Sequence, residues 1–160
     1  MQRISIICVG KLKEKYLRDA VSEYSKRLQT MCRFEIIEVD EEKICDDPGE
    51  TQIKNTLVNE GKRILSKIGR DTFVTAMCIE GSQMSSLKLA QLFADKAVRG
   101  ISSMAFVIGG SYGLSDEVKK RANLRLSMSE MTFPHQLARV MLCEQIYRAF
   151  SINSGSKYHK

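Results

Sequence analysis

Strand-like and helix-like segments alternate along the whole chain, and this alternation is the strongest clue to its fold. Short apolar or alternating runs predict strands over residues 4–9, 34–39, 72–79, 104–108 and 124–127. Apolar residues at three- and four-residue spacing predict helices over residues 15–30, 50–68, 86–99 and 116–121, and a last helix that begins near Pro134. We expect Ser86 and Ser115 to cap two of these helices. This order is typical of an α/β fold with a mostly parallel sheet flanked by helices.

The length of 160 residues suits a single domain that spans residues 1–160, and we find no internal repeat. The apolar runs are far shorter than the ~20 residues of a membrane-spanning helix, and no secretion signal precedes the first strand. We therefore expect a cytoplasmic protein without membrane association. The five cysteines are odd in number and never spaced as C-x-x-C. They are interpreted as structural thiols rather than as disulfide partners or zinc ligands.

Several familiar kinds of catalytic site are absent from the sequence. There is no Walker A motif, no G-x-S-x-G and no H-E-x-x-H. Two histidines are too few for a multi-histidine metal site in one subunit, so we expect no metal. Cys143 lies on the last predicted helix and is expected to be packed rather than nucleophilic. The net charge of +6 fits either simple solubility or a polyanionic partner such as RNA.

A glycine loop follows the buried strand at residues 104–108. Gly109, Gly110 and Gly113 let backbone N–H groups approach a ligand closely, and ligands of open α/β sheets bind at the carboxyl ends of strands. The spacing G-G-x-x-G departs from the dinucleotide fingerprint G-x-G-x-x-G. By itself the loop fits a tight strand-to-helix turn as well as it fits a ligand site.

Two further features accompany the glycine loop. Residues 126–135 (LSMSEMTFPH) form a strand end, a polar loop and a helix start at the same edge of the sheet, where hydroxyls and methionines could line a pocket. Toward the end of the chain, basic residues alternate with aromatic ones. Such residues neutralise phosphates and stack on unpaired bases, although a solvated helix face with a flexible tail fits the pattern too.

These features occur in an order that closely resembles the bacterial 23S ribosomal RNA pseudouridine N3-methyltransferases. The matching strings are FVIGGSYGL at 106–114, LSMS at 126–129, MTFPHQLARV at 131–140, EQIYRAF at 144–150 and YHK at 158–160. This family belongs to the SPOUT superfamily of α/β-knot methyltransferases. The likeness covers the whole chain. One departure is Ser156-Lys157 before Tyr158, where relatives often have asparagine-proline, and we expect the tail to be looser for it.

The resemblance implies a C-terminal trefoil knot, a homodimer formed through the knot region, and S-adenosylmethionine as methyl donor. It places the donor among three loops, which contribute Met77, Gly109, Gly110, Met128, Ser129, Glu130, Met131, Thr132 and Phe133. A Gly110→Val substitution is then expected to block the donor by steric bulk. The implied activity is methylation of N3 of a pseudouridine in large-subunit ribosomal RNA, within the ribosome.

The same resemblance implies roles for residues near the C-terminus. The candidate catalytic residues are His135, Arg139, Tyr158 and His159. The candidate RNA-binding residues are Arg139, Arg148, Lys157, Tyr158, His159 and Lys160. His135 either orients the base or accepts its proton, or it only forms hydrogen bonds at a helix start. Tyr158 and His159 are expected to cover the base from the adjacent subunit.

Other functions remain open at this point. A non-catalytic ribosomal-RNA-binding assembly factor would keep the basic residues without the chemistry. A nucleotide-binding α/β protein would use the glycine loop, but the chain has neither the P-loop lysine nor the dinucleotide spacing. A protein–protein interaction module would leave the pocket-forming loops unexplained.

Overall fold

Five strands form one sheet in which every neighbouring pair is parallel. The computed structural model describes all residues from Met1 to Lys160. In chain order the elements are β1 (Arg3–Val9), α1 (Lys15–Gln29), β2 (Arg33–Val39), α2 (Glu50–Leu65), β3 (Phe73–Ser82), α3 (Ser86–Val98), β4 (Ser103–Ile108), α4 (Asp116–Arg121), β5 (Leu124–Leu126) and α5 (His135–Asn153). The order across the sheet is β2-β1-β4-β3-β5. The predicted α/β fold with a parallel sheet is confirmed. None of the helices combines the length and apolar character that a membrane span requires.

The core lies on both faces of the sheet. On one face, Phe106 of β4 packs among apolar side chains of α1, α3 and α5. On the other face, Val107 belongs to a second cluster that includes Ile64 of α2 and Val118 of α4. Successive residues of a strand point to opposite faces, so a strand covered on both sides must be apolar throughout. This explains the uninterrupted apolar run of β4.

The third strand is longer than its sequence predicts. It was expected to end at residue 79, but β3 continues to Ser82, because Leu126 of β5 pairs with both Met77 and Ser82. A Cβ atom at Gly81 would lie 2.7 Å from the backbone nitrogen of Leu126, so only glycine fits this crossing. The end of β3 therefore passes closely around the end of β5. The trefoil knot stays a prediction.

The end of the second helix and the cap of the third also differ from those predicted. The second helix ends at Leu65 rather than at residue 68, because the following backbone N–H groups form turn-type bonds. The cap of α3 is Ser85, whose Oγ accepts the backbone N–H of Lys88 at 3.2 Å. The expected cap, Ser86, instead donates to Oε1 of Gln145 on α5 at 2.6 Å. The predicted cap of α4, Ser115, is confirmed.

Candidate active site

A cleft of about 800 Å³ opens at the carboxyl ends of β3, β4 and β5. Its walls are the last part of β3, the segments at the ends of β4 and β5, and side chains from α4 and α5: residues 77–80, 108–114, 126–129 and 131–135, with Lys119 and Ala138. This is the edge at which open parallel sheets bind ligands. Another cavity, of about 480 Å³, lies at the amino ends of β1 and β2, beside Arg3 and Arg33. We therefore take the larger cleft as the candidate site.

Almost all of the residues predicted to hold a methyl donor line this cleft. They come from the three loops that the sequence analysis singled out, and Glu130 is the exception. Its side chain is exposed and lies outside the lining. Within the same loop, Ser127 Oγ donates to the carbonyl oxygen of Ser129 at 2.9 Å. The Ser129 hydroxyl in turn accepts the N–H of Met131 at 3.1 Å, so the loop is ordered by its own hydroxyls.

The glycine loop is both a tight turn and a wall of the cleft. The N–H of Gly113 donates to the carbonyl of Gly110 at 3.1 Å, and Gly113 has a φ of +84°. A Cβ at Gly109 would lie 2.2 Å from the carbonyl oxygen of Gly113, a distance no side chain tolerates. A Cβ at Gly110 would instead point toward Val9 and Glu60, 3.2 and 3.4 Å away. Bulk at Gly110 therefore presses on the protein behind the loop, and the expected direct block of the cleft by Gly110→Val is not supported.

His135 is the first residue of α5, and it lines the cleft while remaining half-buried. Burial is the main cause that lowers the pKa of its imidazole below the ordinary value. Nearby Glu41 acts against this shift, and the positive charges of Arg139 and Lys13 add to it. The ring is thus neutral near pH 7 and able to accept a proton. At this helix start its side chain makes no hydrogen bond, and both interpretations of His135 stay predictions.

Arg139 lies elsewhere than the predicted roles require. Its side chain is 1% exposed, and Nη1 donates to Oε1 of Glu38 at 2.7 Å. Nη2 donates to the carbonyl oxygen of Gly10 at 3.0 Å. The guanidinium therefore anchors α5 to the ends of β1 and β2, turned away from solvent. Contact with RNA phosphates has no support in this position, and we reassign Arg139 to holding the helix.

A second cavity of about 490 Å³ adjoins the cleft and shares Met77, Leu126, Ser127 and Met128 with it. Glu144 of α5 lines this cavity and organises the end of the chain around itself. Its Oε1 accepts Nε and Nη2 of Arg148 at 2.9 and 2.6 Å, and the hydroxyl of Tyr158 at 3.1 Å. His159 Nδ1 lies 3.2 Å from Nη1 of Arg148. These side chains are named here the tail cluster: Glu144, Arg148, Tyr158 and His159.

The tail is packed rather than loose, in contrast to the expectation drawn from Ser156-Lys157. Gly155, with a φ of +70°, lets the chain reverse after α5. The ring centroids of Tyr158 and Tyr147 are 4.9 Å apart in an edge-to-face arrangement, and the guanidinium carbon of Arg148 lies 4.7 Å from the ring centroid of Tyr158. Burial, with the hydrogen bond to Glu144, raises the pKa of Tyr158 to about 12. Its phenol is therefore a donor near pH 7, while Lys157 and Lys160 stay exposed.

The tail cluster lies beside the second cavity, the one that adjoins the cleft. The predicted cover of a neighbouring subunit's base by Tyr158 and His159 stays a prediction. Glu144 is a residue that the sequence analysis missed. The signal available was its spacing of four residues before Arg148 on a helix, which favours an ion pair, but such pairs are common on helix surfaces. Glu80 and Lys119, which also line the cleft, were missed because they lie in different elements.

The thiols behave as structural groups. Cys8, Cys32 and Cys143 are buried, and none of the five cysteines is in a disulfide. Burial raises the pKa of Cys143 to about 12, so its thiol stays protonated near neutral pH. The prediction that Cys143 is packed is confirmed.

Comparison with known proteins identifies the family of this chain. Residues 2–159 match the family described as "Predicted SPOUT methyltransferase". The chain is 52% identical over 157 residues to the ribosomal RNA large subunit methyltransferase H of Clostridioides difficile (strain 630), covering 98% of this chain and 99% of that protein. It is 51% identical to the protein of the same name from Streptococcus sanguinis (strain SK36), covering 99% of each.

Solved structures agree on the fold. A crystal structure of a probable methyltransferase from Bordetella pertussis Tohama I superimposes with a TM-score of 0.57 at 13% identity, covering 93% of this chain and 96% of that one. Likeness at this identity concerns the fold, whereas the family follows from the sequence matches. On that evidence, the chain belongs to the SPOUT methyltransferase family.

Proposed function

We propose that this protein transfers a methyl group from S-adenosylmethionine to N3 of a pseudouridine in large-subunit ribosomal RNA. The observation that carries the proposal is the cleft, which gathers three predicted donor loops at one edge of the sheet. Relatives of known name that are about half identical over nearly the whole chain act on the same class of RNA. A ribosomal substrate gives the proposed activity a cytoplasmic setting.

The cleft fits a donor of this kind in size and chemistry. Pockets for small ligands and cofactors usually measure about 300–1,000 Å³ and combine apolar walls with a few polar groups. Here Met77 and Met128 supply apolar surface, while Ser111 and Thr132 supply hydroxyls. Glycine at 109 keeps the backbone of the second loop free of side chains, so the donor can approach its peptide groups.

When bound, S-adenosylmethionine supplies an activated methyl group on a sulfonium. The protein must then hold the acceptor nitrogen in line, within roughly 3–3.5 Å of that methyl group. The imide N–H of the base must also lose its proton. His135 is neutral, half-buried and part of the cleft wall, so it is our candidate to orient the base or accept that proton.

The tail cluster is our candidate for contact with the RNA. In the free chain Glu144 already neutralises Arg148, so phosphate binding by Arg148 requires an exchange of partners. The ammonium groups of Lys157 and Lys160 are exposed and need no rearrangement. The rings of Tyr158 and His159 can stack on an unpaired base. In the proposed homodimer, the tail cluster of one subunit completes the cleft of the other.

Apolar side chains around the cleft support the proposed homodimer. Ile79, Tyr112 and Met131 are 56%, 41% and 73% exposed, although all three line the cleft. Exposed apolar side chains that form a contiguous patch mark association surfaces, whereas single exposed apolar residues are common on any protein surface. A second copy of this chain that covers them would also close the cleft to water.

The deciding experiment uses ribosomes from cells that lack this enzyme, incubated with the protein and methyl-labelled S-adenosylmethionine. We expect label on a single pseudouridine of the large subunit, at N3. Ribosomes from cells that also lack the responsible pseudouridine synthase provide the matched control, and they are expected to stay unlabelled. Stable binding to the subunit with no label transferred would instead favour a non-catalytic assembly factor.

A further inference from the structure

Two side chains of opposite charge line the cleft and have no part in the proposed chemistry. Most of its lining is apolar, hydroxyl-bearing or glycine, and besides His135 the titratable charges are Glu80 and Lys119. Glu80 belongs to the extended end of β3, and Lys119 to α4. Their side chains form a salt bridge between these two elements. A carboxylate and an ammonium therefore stand together in an otherwise uncharged cleft.

Both groups are accessible from the cleft. The side chain of Glu80 is 52% exposed and that of Lys119 is 22% exposed. The hydrogen bond from Lys119 lowers the pKa of the Glu80 carboxyl, so this carboxyl is ionised near neutral pH. An ion pair in contact with water contributes little to folding stability. The pair can therefore open toward a ligand without weakening the fold.

We propose that Lys119 and Glu80 bind the amino-acid end of S-adenosylmethionine, Lys119 holding its α-carboxylate and Glu80 its α-ammonium. This inference rests on the proposed function, because it takes the cleft to be the donor site. The amino-acid end of the donor is a zwitterion, and each of its two charges meets a side chain of opposite charge. Exchange of one internal ion pair for two with the ligand leaves no charge uncompensated, which is the condition for charged groups to be acceptable in a partly buried site.

Different residues of the cleft suit different parts of the donor. Apolar and hydroxyl-bearing residues such as Met128 and Thr132 suit the adenine and ribose, whereas neither can neutralise a carboxylate. The neighbouring Lys120 is exposed and does not line the cleft. Recognition of the donor's carboxylate thus belongs to Lys119 and not to the general positive charge of α4.

The test compares S-adenosylmethionine with 5′-methylthioadenosine, which keeps the nucleoside and sulfur but lacks the amino-acid end. Isothermal titration calorimetry is run on the wild type, Lys119→Met, Glu80→Gln and the control Lys120→Met. Loss of one hydrogen bond to a charged group predicts about tenfold weaker binding of S-adenosylmethionine by Lys119→Met. Binding of 5′-methylthioadenosine is expected to stay unchanged in every variant, and Lys120→Met is expected to bind both like the wild type.

A third ligand tests the pairing of groups. Decarboxylated S-adenosylmethionine lacks only the α-carboxylate, so the wild type should bind it more weakly than the intact donor, and Lys119→Met should lose that preference. Unchanged donor affinity in Lys119→Met, or equal losses for donor and 5′-methylthioadenosine, would overturn this inference and leave the proposed function standing. Failure of the wild type to bind either ligand would overturn both.

Discussion

At the scale of single residues, the least expected feature is a charge placed in the interior. Arg139 is 1% exposed and joins three parts of the chain: α5, the end of β2 through Glu38, and the turn after β1 through the carbonyl of Gly10. A buried guanidinium needs acceptors for its N–H groups, and here Nη1 and Nη2 have them while Nε has no partner. Removal of this side chain leaves a cavity and two acceptors without their donor.

We predict that Arg139→Ala lowers the free energy of unfolding by about 2 kcal/mol, because a fully buried side chain and its hydrogen bonds are lost, whereas Glu38 is 36% exposed and can be solvated instead. Lys15→Ala is the control, since Lys15 pairs with Asp19 where both side chains are open to water. It should change stability by no more than about 0.5 kcal/mol. Urea unfolding measures both. Similar stabilities for the two variants would refute the anchoring role.

His135 yields a prediction about catalysis. If it orients the base or accepts the imide proton, His135→Ala should lower turnover by roughly 10²–10⁴-fold, the usual contribution of a general base. Donor affinity should stay close to that of the wild type, because the three loops are intact. Calorimetry and single-turnover assays measure the two quantities. Parallel losses in both would reject the catalytic assignment.

The same residue yields a prediction about pH. Its pKa is lower in the folded chain than the ordinary 6.5, so below that pH the unfolded chain binds more protons than the folded one. Stability should therefore fall as the pH drops from about 6.5, and this loss should be smaller in His135→Gln. Unfolding at pH 7.5 and 5.5 provides the comparison. An identical acid loss in both proteins would exclude this contribution.

At the scale of elements, the cleft depends on loops whose backbones touch. Gly109 and Gly113 approach so closely that a single added methyl group would overlap a carbonyl oxygen. The loop at 127–134 is similarly tied to β3, because the N–H of Ser127 donates to the carbonyl of Ser82 at 2.9 Å. The walls of the cleft are thus positioned by backbone contacts, which a small substitution can disturb.

Gly109→Ala is predicted to abolish donor binding and to destabilise the fold by roughly 1–3 kcal/mol, the usual cost of overpacking. Gly49→Ala is the matched control, because nothing lies within 4 Å of a Cβ there and its φ of −71° suits any residue. Calorimetry with the donor and thermal unfolding report on the two effects. Normal donor binding by Gly109→Ala would contradict the tight-turn geometry.

Elements also differ in how far their sequences predict them. The strand at β4 was predictable because burial on both faces requires an uninterrupted apolar run. The longer β3 was not, because residues 80–82 extend only where Leu126 lies beside them. The predicted cap of α3 was one residue too late, because Ser85 and Ser86 carry the same hydroxyl and the sequence does not tell them apart. The burial of Arg139 was hidden too, since its partners Glu38 and Gly10 are remote in sequence.

At the scale of the whole molecule, the proposed association of two copies follows from what surrounds the cleft. Met131 is an apolar side chain that is 73% exposed on a loop predicted to hold the donor. A second copy would remove this surface from water. The basic tail of each subunit would then lie at the neighbouring cleft, which joins the two halves of the proposed active site.

We predict that Met131→Glu shifts the protein from dimer to monomer, because a carboxylate is costly to bury in an apolar contact. The control is Val98→Glu at the end of α3, a position that is 88% exposed and outside the cleft. It should leave the oligomeric state unchanged. Sedimentation velocity measures both variants. A wild type that sediments as a monomer would refute the dimer itself.

The crossing of β3 and β5 has a consequence for when the protein acquires its activity during synthesis. Met77 and Glu80 lie in the first half of the chain, yet this end of β3 pairs with a strand that is translated later, at residues 124–126. Contacts between such remote segments form slowly, because the intervening loop must close first. In the proposed function, a nascent chain therefore gains its donor cleft only after residues 124–126 have been synthesised and have paired with β3.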